Sequence, residues 1–149
     1  MNPIIERFKK YFAIGEVVDA QTKQRDGEKA WRYFDLNLLE VLVWIRESLG
    51  IRMVINTKAL QQRGLRTNVC EIVKKKTLAG ILYISGHGLG KAVDFSSPDM
   101  SAKDIRKWIR AHINECPHPI RLEDDKSAPT WVHIDTMNIS DEKLEEFSA

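Results

Sequence analysis

Two histidines and an aspartate, lying in two short segments, carry the chemistry of this chain. The stretch Ser85-Gly86-His87-Gly88-Leu89-Gly90-Lys91-Ala92-Val93-Asp94-Phe95 sets His87 and Asp94 seven positions apart, with glycines at 86, 88 and 90. A further histidine sits in Trp131-Val132-His133-Ile134-Asp135. Imidazole nitrogen and carboxylate oxygen are both ligands for zinc. A catalytic zinc site takes three such ligands and keeps a fourth position for water. His87, Asp94 and His133 have the right types and number. The glycines let the backbone turn sharply between the first two. Along an extended 131–135, alternation puts Trp131, His133 and Asp135 on one face. Asp94 shares a strand face with Ala92, while Val93 and Phe95 face the other side. A carboxylate between apolar neighbours on a core strand needs a counter-charge, and a metal ion is one. The same spacing also fits a polar loop with an incidental histidine.

The surrounding elements follow from periodicity. Residues 3–12 carry Ile4, Ile5, Phe8, Tyr11 and Phe12 near helical spacing, with Pro3 in the first turn. The polar stretch from Asp19 to Lys29 reads as a solvated connection. Asp35 can cap a long helix to about Leu49 that is apolar almost all round and stops at Gly50. Residues 51–56 read as a strand. A second helix is expected from about Asn68 to Lys76, with Lys74-Lys75-Lys76 suiting the negative end of its dipole. Strands are expected at 81–84 and 91–95. Ser101-Ala102-Lys103-Asp104 is a capping box that opens a helix to about Asn114. Ile120-Arg121-Leu122-Glu123 and residues 131–135 form a hairpin by pattern. Residues 140–143 can cap a short terminal helix. The expected class is α+β, with helices on one face of a small, mainly antiparallel sheet. His112, beside Trp108 and Ile109, reads as a packed histidine, and His118, between prolines, as part of a surface turn.

A chain of 149 residues fits one domain, and 43% hydrophobic with 30% charged residues is ordinary for a globular protein. A net charge of +2 gives no reason to expect nucleic acid as a partner. The longest apolar runs fall far short of the roughly 20 residues that span a bilayer, so no membrane partner is expected. The first residues lack a secretory signal, which implies cytoplasmic retention at synthesis. Cys70 and Cys116 form no CxxC pair and read as buried reduced thiols.

The segment from Ser85 to Asp94 resembles the SxHxxGxAxD signature of the zinc D-alanyl-D-alanine metallopeptidases, which share a fold with the hedgehog signalling domain. Ser85, His87, Gly90, Ala92 and Asp94 match every fixed position. Trp131-Val132-His133 is similar to the family's closing W-x-H element. Gly64-Leu65-Arg66-Thr67-Asn68 resembles its G-[YFL]-R-[ST] segment. Tyr11-Phe12-Ala13-Ile14-Gly15-Glu16 is similar to the YFxxxE element of phage and prophage members. The likeness runs from about residue 11 to 136.

The resemblance implies a single zinc-peptidase-like domain over 1–149 with the hedgehog/DD-peptidase fold. It implies an endolysin-like hydrolase of peptide bonds in peptidoglycan stem peptides, acting at the cell wall after release. His87, Asp94 and His133 become the Zn2+ ligands. Arg66, Ser85 and Trp131 become substrate-binding candidates, Trp131 alternatively serving only the core. Many members place a catalytic acid three residues before the last histidine, where this chain has Thr130. The nearby acids are Glu123, Asp124, Asp125 and Asp135. Glu123 is the expected general base, with Asp125 and Asp135 as alternatives, and Asp135 can instead orient a ligand histidine. Residues 123–125 also fit a solvated acidic turn. The missing acid leaves a second expectation, a zinc-bound but non-catalytic binding or structural module of the same fold.

Overall fold

The computed structural model describes residues 2–149. Its helices are α1 (Pro3–Phe8), α2 (Ala20–Asp26), α3 (Leu36–Leu49), α4 (Glu71–Leu78) and α5 (Ala102–Ala111), with short 3-10 turns between some of them. Four strands, β1 (Ala92–Phe95), β2 (Ile120–Glu123), β3 (Val132–Asp135) and β4 (Leu144–Phe147), form one sheet in the order β1-β3-β2-β4. The class is α+β, as expected.

Helix α3 is the core helix. Asp35 caps it by accepting from the Asn37 amide, and Gly50 closes it at φ 64°. Leu38, Leu39, Val41, Leu42, Val43 and Ile45 are all buried. Ser101 caps α5 through the Asp104 amide. This helix ends at Ala111, and a 3-10 turn takes over at 113–115. At the N-terminus Phe8 stacks on Phe12 and meets the edge of Trp31, so α1 packs against the same core although it stops at Phe8.

The sheet is mixed rather than mainly antiparallel. β3 pairs antiparallel with β1 and β2, but β4 runs parallel to β2. The cause is the connection after β3. The Asn138 side-chain amide donates to the Ile120 and Glu142 carbonyls. The chain is thereby brought back to the start of β2, and Leu144 pairs with Ile120. The expected terminal helix is replaced by β4, because pairing with β2 outweighs the local preference of Leu144-Glu145-Glu146-Phe147.

Three other expectations are corrected. Residues 81–84 form no strand, and Ile81, Leu82 and Ile84 are exposed. The free edge of β1 is already taken: Ser96 bridges Val54, and the Asp94 amide donates to the Arg63 carbonyl. The 51–56 segment therefore contributes one bridge rather than a strand. The polar stretch 19–29 is helical, because Asp19 caps α2 through the Thr22 amide. Cys116 is buried, whereas Cys70 is only partly so.

Strand alternation gives the sheet two unlike faces. Val93, Phe95, Ile120, Leu122, Val132 and Ile134 join the core with α3 and α5. The register sets Asp94 beside His133, Ala92 beside Asp135, and Asp135 beside Arg121. One step further, Glu123 shares that polar face, with Phe147 as its partner on β4. Among the described residues, no helix is long and apolar enough to cross a membrane.

Candidate metal centre

Local backbone geometry delivers the first ligand. Residues 85–91 close on themselves through bonds from the Leu89 amide to the Ser85 carbonyl and from the Lys91 amide to the Gly86 carbonyl. The Ser85 hydroxyl accepts from the Gly88 amide at 3.2 Å. Gly90 sits at φ 68°, and a Cβ there would lie 1.9 Å from the Tyr33 carbonyl oxygen, so no side chain fits. This turn lays buried His87 against Gly64. His87 Nδ1 lies 2.9 Å from the Gly64 carbonyl oxygen. A carbonyl only accepts, so Nδ1 carries the proton and Nε2 offers its lone pair. Gly64 is itself pressed on Val17, where a Cβ would meet the Val17 carbonyl oxygen at 2.0 Å.

The other two ligands come from paired strands. Asp94 Oδ1 lies 3.3 Å from His87 Nε2 and 2.8 Å from His133 Nδ1. One donor atom from each of the three residues falls within 4.8 Å of the others. Bond lengths near 2.0–2.1 Å at a tetrahedral metal separate ligand atoms by roughly 3.3 Å. The 3.3 Å and 2.8 Å separations lie close to that value, and the His87-Asp94-His133 group can hold a metal ion.

Surrounding groups fix the ligands. His133 Nε2 donates to Asp135 Oδ2 at 2.9 Å, and Arg121 binds the same carboxylate through Nε and Nη2, both at 2.9 Å. Asp135 thus orients His133 with Nδ1 toward Asp94, the arrangement that metal-bound histidines require. Burial opposes a charge on His133, but its hydrogen bonds to Asp135 and Asp94 outweigh that and push it up to about 9. Burial likewise opposes the Asp94 charge. The hydrogen bond and charge of His133 prevail and hold it well below the usual carboxylate range. In the metal-free protein His133 is a cation between two carboxylates.

A cavity of about 350 Å³ opens beside these atoms, with Arg66, Tyr83, Ser85, Glu123, Trp131 and Phe147 among its walls. All three substrate-binding expectations, Arg66, Ser85 and Trp131, line it. Arg66 reaches Asp94 Oδ2 at 3.4 Å and the Tyr83 hydroxyl at 3.2 Å. Glu123 is buried on the same face. Burial raises its carboxyl above the ordinary value, with the Asp94 charge adding and His133 opposing. Asp125 does not line the cavity; its carboxylate binds Arg106 at 3.0 Å. Asp124 caps the turn through the Ser127 amide, and Thr130 is exposed. His112 stacks on Trp108, and its Nδ1 donates to the Trp108 carbonyl. His118 binds Glu40 on the surface.

Several contributors escaped sequence reasoning. Arg106 is fully buried and donates to the Glu123, Ala128 and Trp131 carbonyls, clamping the β2–β3 hairpin that carries Glu123 and His133. Its one signal was an arginine next to Ile105 on the inward side of α5. Arg121 could have been found by alternation, two positions before Glu123. Phe147, whose ring meets His133 edge-on at 5.5 Å and lies under Arg121, had no sequence signal. No protein-family model, no curated protein and no solved structure matches the chain.

Proposed function

We propose that this protein is a zinc-dependent peptidase that hydrolyses peptide bonds in peptidoglycan stem peptides, with the hedgehog/DD-peptidase fold and an endolysin-like role at the cell wall. The observation that carries the reading is the convergence of His87 Nε2, Asp94 Oδ1 and His133 Nδ1 at the floor of a cavity that also holds the buried acid Glu123. The SxHxxGxAxD resemblance supplies the substrate class.

A bound zinc ion supplies Lewis acidity and lowers the pKa of its water. The protein's own groups do the rest. Gly64 and Asp135 hold the two imidazoles so that each presents a lone pair to one point. Glu123, opposite His133 on the neighbouring strand, takes a proton at its carboxylate and returns it to the leaving amine; a raised pKa suits a group that must do both near neutral pH. Arg66, steadied by the Tyr83 hydroxyl and the Gln62 carbonyl, offers N–H groups to a substrate oxygen. Trp131 and Phe147 give the peptide apolar walls.

The test is metal analysis of protein purified without chelators, followed by digestion of purified peptidoglycan with mass spectrometry of the released fragments. One equivalent of zinc, and cleavage within the stem peptides that stops on chelation, are expected. Zinc binding without cleavage of any stem peptide would make the protein a non-catalytic zinc module. Protein that binds no zinc, while His87→Ala behaves like the parent, would remove both readings.

A further inference from the structure

We propose that α4 and the segment after it, residues 71–91, form a surface that docks on an anionic lipid bilayer. The inference rests on this surface alone and stands apart from the metal centre's chemistry. Residues 71–91 contain four lysines and a single acid, Glu71, in a chain whose net charge is only +2. Lys74, Lys75 and Lys76 are consecutive and exposed. One ion pair on this element involves them, Lys74 with Glu71 at 2.9 Å, and Lys76 lies over the Tyr83 ring.

The apolar part is as distinctive as the charge. Leu78 is 88% exposed and Leu82 81% exposed, with Ile81 and Ile84 also more than half exposed. Five of the nine large apolar side chains exposed among the described residues lie between Leu78 and Leu89. This is a patch rather than the scatter normal on a soluble surface. Helix α4 itself buries no residue.

The tip is a built feature. The Ile81 amide donates to the Lys76 carbonyl and the Gly80 amide to the Thr77 carbonyl, with Gly80 at φ 68°. This is a left-handed helix stop. It turns the chain so that Ile81 and Leu82 follow directly on the lysine run. Aliphatic side chains that can enter the headgroup boundary, beside lysines that outnumber the one acid, are what an interfacial site on anionic lipid requires. Charge selects this occupant over a symmetric pairing with a second copy of the chain, because such a contact would set two lysine clusters face to face. The absence of a spanning helix is no obstacle, since an interfacial surface needs none. Tyr83, Ile84 and Lys76 also line the metal-site cavity, so docking sets the cavity mouth at the level of the headgroups.

Sedimentation of the full chain with phosphatidylcholine vesicles, with and without about one-third phosphatidylglycerol, tests this. Binding is expected only to the anionic vesicles, with a steep loss at high salt. Lysine attraction to an anionic surface is about fivefold per residue, so Lys74→Gln, Lys75→Gln and Lys76→Gln together should weaken binding on the order of a hundredfold. Leu82→Asp should abolish it. Because the three lysines and Leu82 are all exposed, the thermal unfolding of both variants should match the parent. No vesicle binding, equal binding to neutral vesicles, or parental binding by either variant overturns the proposal. So does a concentration-dependent dimer that Leu82→Asp dissolves and vesicles do not displace.

Discussion

His133 shows how much one side chain's surroundings decide. In the metal-free protein both its nitrogens face carboxylates, and its pKa rises to about 9 against an ordinary value near 6.5. The stabilisation from this charge is complete below about pH 6.5 and is lost as the pH rises through about 9. A metal ion at Nδ1 must displace that proton. The apparent affinity for zinc should therefore rise about tenfold per pH unit up to about pH 9 and level off above it. Titration against a competing chelator from pH 6 to 8 should find a gain of about a hundredfold. Glu123 is the other residue on which the proposed reaction turns. Glu123→Gln keeps the shape and removes the proton acceptor. It should lower turnover of a stem peptide by about 10²–10⁴ while zinc stoichiometry stays unchanged. Asp125→Asn, whose parent carboxylate is bound to Arg106 outside the cavity, should leave turnover within about twofold; paired kinetics and metal analysis check both.

At the scale of elements, the β2–β3 hairpin carries two of the four central groups, and α5 holds it through one guanidinium. Arg106→Met preserves bulk but leaves the buried Glu123, Ala128 and Trp131 carbonyls without that donor. At roughly 1–3 kcal/mol for each orphaned group, the loss should be about 3 kcal/mol or more, seen as a lower urea midpoint at constant slope. The hairpin was readable because 131–135 alternates cleanly and Glu123 ends a short apolar strand. The caps at Asp35 and Ser101 were readable because a capping oxygen acts within a few residues. What sequence could not reveal depends on partners distant in the chain. β4 exists through its pairing with β2. Ile81-Leu82-Tyr83-Ile84 has the composition of a strand but finds the β1 edge already covered by Val54 and Arg63. Helix α2 lacks an apolar stripe and depends on the Asp19 cap. For the site, ligand types and spacing were legible, whereas the Gly64 carbonyl, Arg106, Arg121 and Phe147 belong to tertiary structure.

For the whole molecule, the candidate metal centre is a junction. Its ligands come from the 85–91 turn, β1 and β3, and its supports from Gly64, β2 and α5. A ligand that binds only this assembled state stabilises all of it. Zinc at about a hundred times its dissociation constant should add about 2.7 kcal/mol. For a chain of this length that raises Tm by about 5–10 °C. Scanning calorimetry should show the shift, its reversal by chelator and its absence in His133→Ala. The two-faced sheet has one more consequence. A slip of β3 by a single residue against β1 would exchange His133 and Asp135 for Val132 and Ile134. Two polar side chains would enter the core and two aliphatic ones the cavity. Metal uptake is therefore a readout of correct strand alignment. A residue inserted in the exposed Pro129–Thr130 turn should leave zinc binding intact, whereas the same insertion between Val132 and His133 should erase it. An ion bound here would, in effect, proofread the pairing of the strands that hold it.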